Sequence, residues 1–160
     1  MEDAFPDIHA LPGHLIRRLN QIAVAQFMEK MAEMGLDLTT VQYSALCAIE
    51  SHPGIDQASI AGLIAYDRAT LGKVIDRLEA KALVRRKVSP SDRRAREVTL
   101  TQAGKVLLAQ VHPVVCAAQP DILAGLSAKE QDQFVALLKK ATLAGNEKSR
   151  APQRNLPRAG

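Results

Sequence analysis

The sequence predicts a mainly α-helical chain with one small β-ribbon, and three observations carry that expectation. Apolar residues recur at helical spacing through most of the 160 residues, most clearly Leu71, Val74, Ile75 and Leu78 at i, i+3, i+4 and i+7. Helix-entry signals punctuate the chain: Thr39 with Gln42 and Ser127 with Glu130 have capping-box spacing, and Asp56, Asp67 and Thr101 each precede an apolar run. Between two such runs, VRRKV and REVTL flank a Ser89-Pro90-Ser91-Asp92 turn, the pattern of a hairpin.

Taken in order, residues 1–10 show no periodicity and are expected to be flexible. Pro12 suits the first turn of a helix running to about Met34, with Leu15, Leu19, Ile22, Phe27, Met31 and Met34 on its apolar face and Gly35 as its stop. Thr39 to Gln42 opens a second helix, which His52-Pro53-Gly54 ends after about Ser51. Asp56 caps a short helix with Ile60, Leu63 and Ile64 turned inward. Two or three residues around Ala65 and Tyr66 then separate it from the helix beginning near Asp67. Two short helices joined by so tight a turn form a helix-turn-helix whose second member is the reader, and the hairpin behind it is a wing. Thr101 opens a helix to about His112, which Pro113 is expected to kink or interrupt, and Pro120 marks a further irregularity. Ser127 opens the last helix, with Phe134, Leu137, Leu138 and Ala141 on one face, and residues 145–160 have the composition of a flexible basic tail.

The expected organisation is one domain over residues 11–144, with a winged helix-turn-helix lobe at about 39–100. The helices at 11–34 and 102–144 carry more apolar surface than so small a lobe can bury. Pairing two subunits through them is the economical explanation, and it sets two reading helices on one face of a duplex.

Charge points the same way. Residues 1–66 hold 3 Lys/Arg against 8 Asp/Glu, whereas residues 67–97 hold 10 against 5. A basic element on an acidic body is the footprint of nucleic acid. Ala69, Thr70, Lys73, Asp76, Arg77 and Ala80 occupy the outer side of the reading helix, small or hydrogen-bonding residues suited to a major groove. Arg85, Arg86, Lys87, Arg93, Arg94 and Arg96 give the ribbon its positive charge.

Other classes find little support. Aromatics are 3% of the chain and tryptophan is absent, against a base-stacking platform. There is no membrane-length apolar run and no secretion signal, so the cytoplasm is expected. Cys47 and Cys116 are far apart in helical patterns, and His9, His14, His52 and His112 lack paired ligand spacing, so neither a disulfide nor a metal site is expected. No GxSxG, P-loop, HExxH or dinucleotide fingerprint occurs, so no catalytic residue and no cofactor is expected.

The order LTxxQ helix, short helix, DRATLGKVIDRLEAKALV, wing with SDRR and then LTQAGK resembles the MarR family of transcriptional regulators over residues 11–144. One departure is Ala82, where the family often has glycine. The resemblance implies a homodimeric winged helix-turn-helix protein, usually a repressor, that leaves a palindromic operator when a small, often aromatic and anionic, ligand binds. It places Arg68, Ala69, Thr70 and Lys73 in the reading half of the recognition helix, with Thr70 and Lys73 at base edges and Arg77 on phosphate. It also places Arg93 and Arg94 at the wing tip, one entering the minor groove while Asp92 braces the other; a wing-stabilising pair of Asp92 and Arg94 is the alternative. Family ligands sit between the dimer helices and the DNA-binding lobe, where His14, Arg17, Arg18, Gln42 and Tyr43 are the candidates. The arginines and histidine would clamp a carboxylate, the amide and phenol would read a second polar group, and pairing of Arg17 and Arg18 with Asp7 or Glu50 is the competing reading. PGHLIRRLNQ and DRATLGKVIDRL are also similar to the branch tied to breakdown of aromatic and pyridine carboxylates, which favours nicotinate- or benzoate-like acids. A thiol redox switch and a winged helix used for protein contacts are the alternatives. Redox-sensing relatives place their cysteine early in the first helix, near Ile16 here, while Cys47 sits among apolar residues that would leave it inert.

Overall fold

The computed structural model describes residues 7–156, so the start of the irregular N-terminal stretch and residues 157–160 of the basic tail lie outside the described residues. The elements follow in the order α1 (Pro12–Glu33), α2 (Thr40–Ser51), β1 (Ile55–Asp56), α3 (Gln57–Leu63), α4 (Arg68–Ala80), β2 (Val84–Val88), β3 (Arg96–Leu100), α5 (Gln102–Ile122) and α6 (Ala128–Gly145). Short 3-10 turns at Ile8–Ala10 and Asn146–Lys148 precede α1 and follow α6.

The caps act where the sequence places them. Thr39 Oγ1 accepts from the Gln42 N–H at 3.2 Å while Gln42 Oε1 accepts from the Thr39 N–H at 3.1 Å. Asp56 Oδ1 accepts from the Ser59 N–H at 2.9 Å, Asp67 Oδ1 from the Ala69 N–H at 2.8 Å, and Thr101 Oγ1 from the Gly104 N–H at 3.0 Å. Three helices end in one device. Gly35, Ala65 and Ala82, at φ of 69°, 51° and 57°, each follow a helix, and the next N–H closes onto a carbonyl five residues back. Only the first of these three is a glycine.

The helix-turn-helix is α3 and α4, with Ile60, Leu71, Val74, Ile75 and Leu78 turned into one core with Leu46 and Ile49 of α2 and Met31 of α1. The wing is antiparallel, Val84 facing Leu100 and Arg86 facing Val98, and β3 is its middle strand because Ile55 of β1 pairs with Val98 from the other side. Two residues of β1 carry no alternation, so this strand leaves no mark in the sequence pattern.

Two expectations are corrected. Pro113 and Pro120 do not interrupt the helix after Thr101: α5 runs through both to Ile122. Each removes one N–H, but the carbonyls so freed belong to Ala109 and Cys116, both exposed, where water can satisfy them. The segment after Gly145 is not a loose tail over residues 146–156. Asn146 Oδ1 accepts from the Gln153 N–H at 2.8 Å, Glu147 grips the Arg154 guanidinium at 2.5 and 3.2 Å, and the Arg154 N–H donates to the Gly62 carbonyl at 2.8 Å.

The ends of the chain leave apolar surface uncovered. Ile16 is 58% and Leu137 66% exposed, and Leu15 and Ile22, on the apolar face of α1, are open as well. No residue of α6 is buried. Between α1, α5 and α6 lies an apolar groove of about 650 Å³ lined by Ile16, Leu19, Ile122, Leu123, Phe134 and Leu138.

Candidate nucleic-acid interface

The reading face is built by burial on its opposite side. With Leu71, Val74, Ile75 and Leu78 pinned inward, Arg68, Ala69, Thr70, Lys73 and Arg77 are all left exposed on one side of α4. Asp67 holds the first turn, and the Thr70 hydroxyl donates to the Asp67 carbonyl at 3.1 Å, which leaves its oxygen outward as an acceptor. Thirteen residues make α4 about 20 Å long, enough to lie along a major groove.

The wing meets that helix across a common cleft. Arg68 from α4 and Arg94 and Arg96 from the wing line a hollow of about 490 Å³, with Gln57, Asp56 and Asp92 on its walls. Three guanidinium groups around two carboxylates leave an excess of positive charge facing outward. The wing tip is closed by the Ser89 N–H donating to Ala95 O at 3.1 Å. Asp92 braces it differently from the ion pair expected: its carboxylate accepts from the Arg94 backbone N–H at 2.9 Å, and its own carbonyl accepts from the Ala95 N–H at 3.0 Å. An aspartate two residues before an N–H makes this local turn more readily than it reaches a guanidinium. Arg93 and Arg94 are therefore both exposed, without an ion-pair partner among the described residues.

Arg86, counted with the wing's cations, faces the other way. Its guanidinium lies 2.6 Å from Glu79 Oε2 and 2.8 Å from Asp76 Oδ1, and its backbone N–H donates to Glu79 Oε1 at 3.2 Å. Glu79 is held below the ordinary glutamate range by the Arg86 hydrogen bond, and Arg86 is raised by the same partner. This is a strut between β2 and α4, not a contact for phosphate.

The effector candidates are divided. Gln42 is 4% exposed and its amide oxygen is committed to the Thr39 cap. Tyr43 packs on Phe27 with ring centroids 5.7 Å apart, and its hydroxyl lies 2.7 Å from His112 Nδ1. His112 Nε2 in turn is 3.5 Å from Cys116 Sγ. Burial, and secondarily a hydrogen bond with Cys47, pushes the Tyr43 phenol above its ordinary value; burial also raises the Cys47 thiol, which keeps it protonated. Next to these groups is a cleft of about 590 Å³ walled by Tyr43, Cys47, His52, Leu63, Gln153, Asn155 and Leu156. Both ring nitrogens of His52 are shielded from water and lack a protein partner. His14 instead stands edge-to-face with His9 at 5.3 Å, and Arg17 and Arg18 are exposed. Arg17 precedes Phe27 by ten residues of α1, about 15 Å of helix, so within one chain the arginines and Tyr43 do not converge.

A model of the MarR family matches residues 38–95, from the residue before the α2 cap to the end of the wing tip. The transcriptional regulator HosA of Escherichia coli is 35% identical over 127 residues, covering 79% of this chain and 91% of that one. The HTH-type transcriptional repressor NicR of Pseudomonas putida is 35% identical over 136 residues, 84% of each. Among solved structures, that of Bordetella bronchiseptica BpsR, whose DNA binding is regulated by 6-hydroxynicotinic acid, superposes with a TM-score of 0.78 at 32% identity, covering 85% of this chain and 96% of that one. The chain belongs to the MarR family. It is a DNA-binding transcriptional regulator with a winged helix fold.

In this MarR-family chain the DNA-facing candidates gather on one surface, whereas the effector candidates fall into two groups. Sequence reasoning counted Arg96 among the ribbon's cations but missed Gln57 in the cleft, and His52 and His112 beside Tyr43. The capping position of Asp56 could have pointed to Gln57. Nothing in sequence spacing brings His112, 69 residues away, to Tyr43.

Proposed function

We propose that the protein is a homodimeric repressor that holds a palindromic operator and releases it when a small aromatic or heteroaromatic carboxylate binds. The observation that carries this reading is the exposed face of α4 set beside an arginine-lined cleft at the wing. Thr70 and Lys73 read base edges, Arg68 and Arg77 hold backbone phosphates, and a wing arginine, Arg93 or Arg94, enters the minor groove, where negative potential draws guanidinium groups. A second copy of the chain covers the apolar groove of α1, α5 and α6 and sets two reading helices one turn apart.

The effector reading is supported by two relatives: NicR is a repressor, and BpsR responds to 6-hydroxynicotinic acid. In this chain the aromatic body of the effector lies in the cleft beside Tyr43 and His52. Arg17 and Arg18, next to the groove residues Ile16 and Leu19, bring the carboxylate partner from the boundary between protomers. Duplex DNA from upstream of the gene, titrated by fluorescence anisotropy, tests the first part. A dimer making about 6–10 phosphate contacts loses on the order of 10³–10⁵ in affinity between 50 and 200 mM salt, and a flat salt response removes the DNA reading. Calorimetry with nicotinate, 6-hydroxynicotinate and 4-hydroxybenzoate tests the second. No binding by any of them, with DNA affinity unchanged in their presence, removes the carboxylate effector.

A further inference from the structure

Neither the reading helix nor the wing accounts for residues 146–156. They form a closed loop, tied by Asn146 to Gln153 and by Glu147 to Arg154, and seated on the helix-turn-helix through the Arg154 N–H and the Gly62 carbonyl, 2.8 Å apart. The approach is tight: a Cβ on Gly62 would lie 2.9 Å from Arg154 Cβ. Seating the loop there sets Arg150 beside the start of α4. Its Nε is 3.5 Å from Asp67 Oδ2, the carboxylate whose other oxygen caps the reading helix, and its side chain is 87% exposed.

A recognition helix of this kind enters the major groove by its N-terminus, so the phosphates walling the groove pass close to Asp67 and to a cation beside it. Residues 146–160 hold four Lys/Arg against one acid. Arg154 is neutralised by Glu147, but the Arg150 pair with Asp67 is long and open to water, the kind of pair that contributes little and exchanges readily. A phosphate offers the same guanidinium two oxygens and a charge already confined to the groove wall.

We propose that residues 146–156 are a third DNA-contacting element of the protein, with Arg150 binding a backbone phosphate beside the reading helix. The proposal rests on the DNA-binding reading above. It is tested by anisotropy on the full chain, on Arg150→Ala and Arg150→Lys, and on Arg150→Ala placed in an Asp67→Asn chain, where asparagine still caps α4. Two duplexes are used, one from upstream of the gene and one scrambled, between 50 and 200 mM salt. Arg150→Ala is expected to weaken binding to both duplexes equally and to flatten the log–log salt slope by about 0.9 per protomer, with lysine restoring the slope. The loss must persist in the Asp67→Asn chain, because there Arg150 has no carboxylate to neutralise. An unchanged slope, or a loss that vanishes with Asp67, overturns the proposal. If the unaltered chain shows no salt-dependent binding at all, the DNA reading fails first and this element with it.

Discussion

Replacing Ala82 by glycine is expected to stabilise the DNA-binding lobe. Ala82 ends α4 and begins the wing at a φ of 57°, and three bonds hold it there: its N–H to Glu79 O at 2.8 Å, the Leu83 N–H to Leu78 O at 3.0 Å, and the Thr101 hydroxyl to its own carbonyl at 2.6 Å. These bonds impose the left-handed conformation on any side chain. An L-residue in it carries about 1–2 kcal/mol of crowding between Cβ and carbonyl, which glycine removes. Glycine is also more flexible in the unfolded chain, costing about 0.5–1 kcal/mol relative to alanine. Ala82 is exposed, so little packing is lost. The balance favours glycine by about 0.5–1 kcal/mol, or about 1–4 °C in the unfolding midpoint of a chain this long. Urea and thermal unfolding at one fixed protein concentration read it out, since self-association would otherwise shift the midpoint. Ala80→Gly, exposed in the last turn of α4, is the control and should lose about 0.5–1 kcal/mol. If both substitutions destabilise alike, Ala82 carries no strain and the reasoning is wrong.

Four other outcomes are expected. Gly104→Ala should destabilise by more than about 2 kcal/mol in the same unfolding assay, because a Cβ there runs into the Leu83 carbonyl oxygen, which is backbone and cannot step aside. Lys73→Ala should narrow the preference for the operator over a scrambled duplex by about 1–3 kcal/mol, while Arg93→Ala weakens both duplexes and lowers the salt slope by about 1 per protomer; matched salt titrations separate the two. Arg86→Ala should cost about 1–2 kcal/mol by urea unfolding, given its half-buried hydrogen bonds to Glu79. That contribution is present above the ordinary glutamate value of 4.5 and is lost as pH falls through the depressed Glu79 value, so the gap between the two proteins should close in acid. With a thiol reagent at neutral pH, Cys116, which is exposed, should react well before Cys47, whose thiol burial keeps protonated; equal rates would contradict the packing around Tyr43.

What was legible in the sequence was whatever local chemistry decides. Side-chain caps, the 3.6-residue stripe of α4 and the alternation around Ser89–Asp92 each involve residues within a few positions of one another, and the structure has each of them. The errors came where distant residues or solvent decide. Pro113 reads as a break, yet α5 tolerates it because the carbonyl it frees lies on the exposed Ala109. The segment after Gly145 reads as disordered by composition, yet Glu147 pairs with Arg154 and the Arg154 backbone N–H donates to the Gly62 carbonyl. Arg86 reads as one more cation of the ribbon because only the fold reveals Glu79 and Asp76 beside it. The residues proposed to face DNA lie together because most come from one helix and one hairpin. The pairing of Tyr43 with His112 was not legible, since the two are joined only by packing of α2 on α5.

The same tertiary bonds bear on how the protein could be switched. Arg86 fastens the wing to α4, Thr101 fastens the end of α4 to the start of α5, and Gly104 lets α5 lie against the base of the wing at Leu83. Reader, wing and the first turns of α5 are therefore one body, and a small acid cannot loosen the reader without breaking several of these bonds together. In the proposed dimer it can more cheaply tilt that body against the second copy. The cleft beside Tyr43 and His52 is walled by α2, α3 and the segment after α6, the Tyr43 hydroxyl reaches His112 of α5 at 2.7 Å, and α5 continues through two prolines to the apolar groove that the proposed dimer shares. A wedge at that junction changes the separation of two reading helices while leaving each intact. Release by that route would lower affinity for a two-site operator far more than for a single half-site, a distinction that half-site and full-site duplexes measure directly.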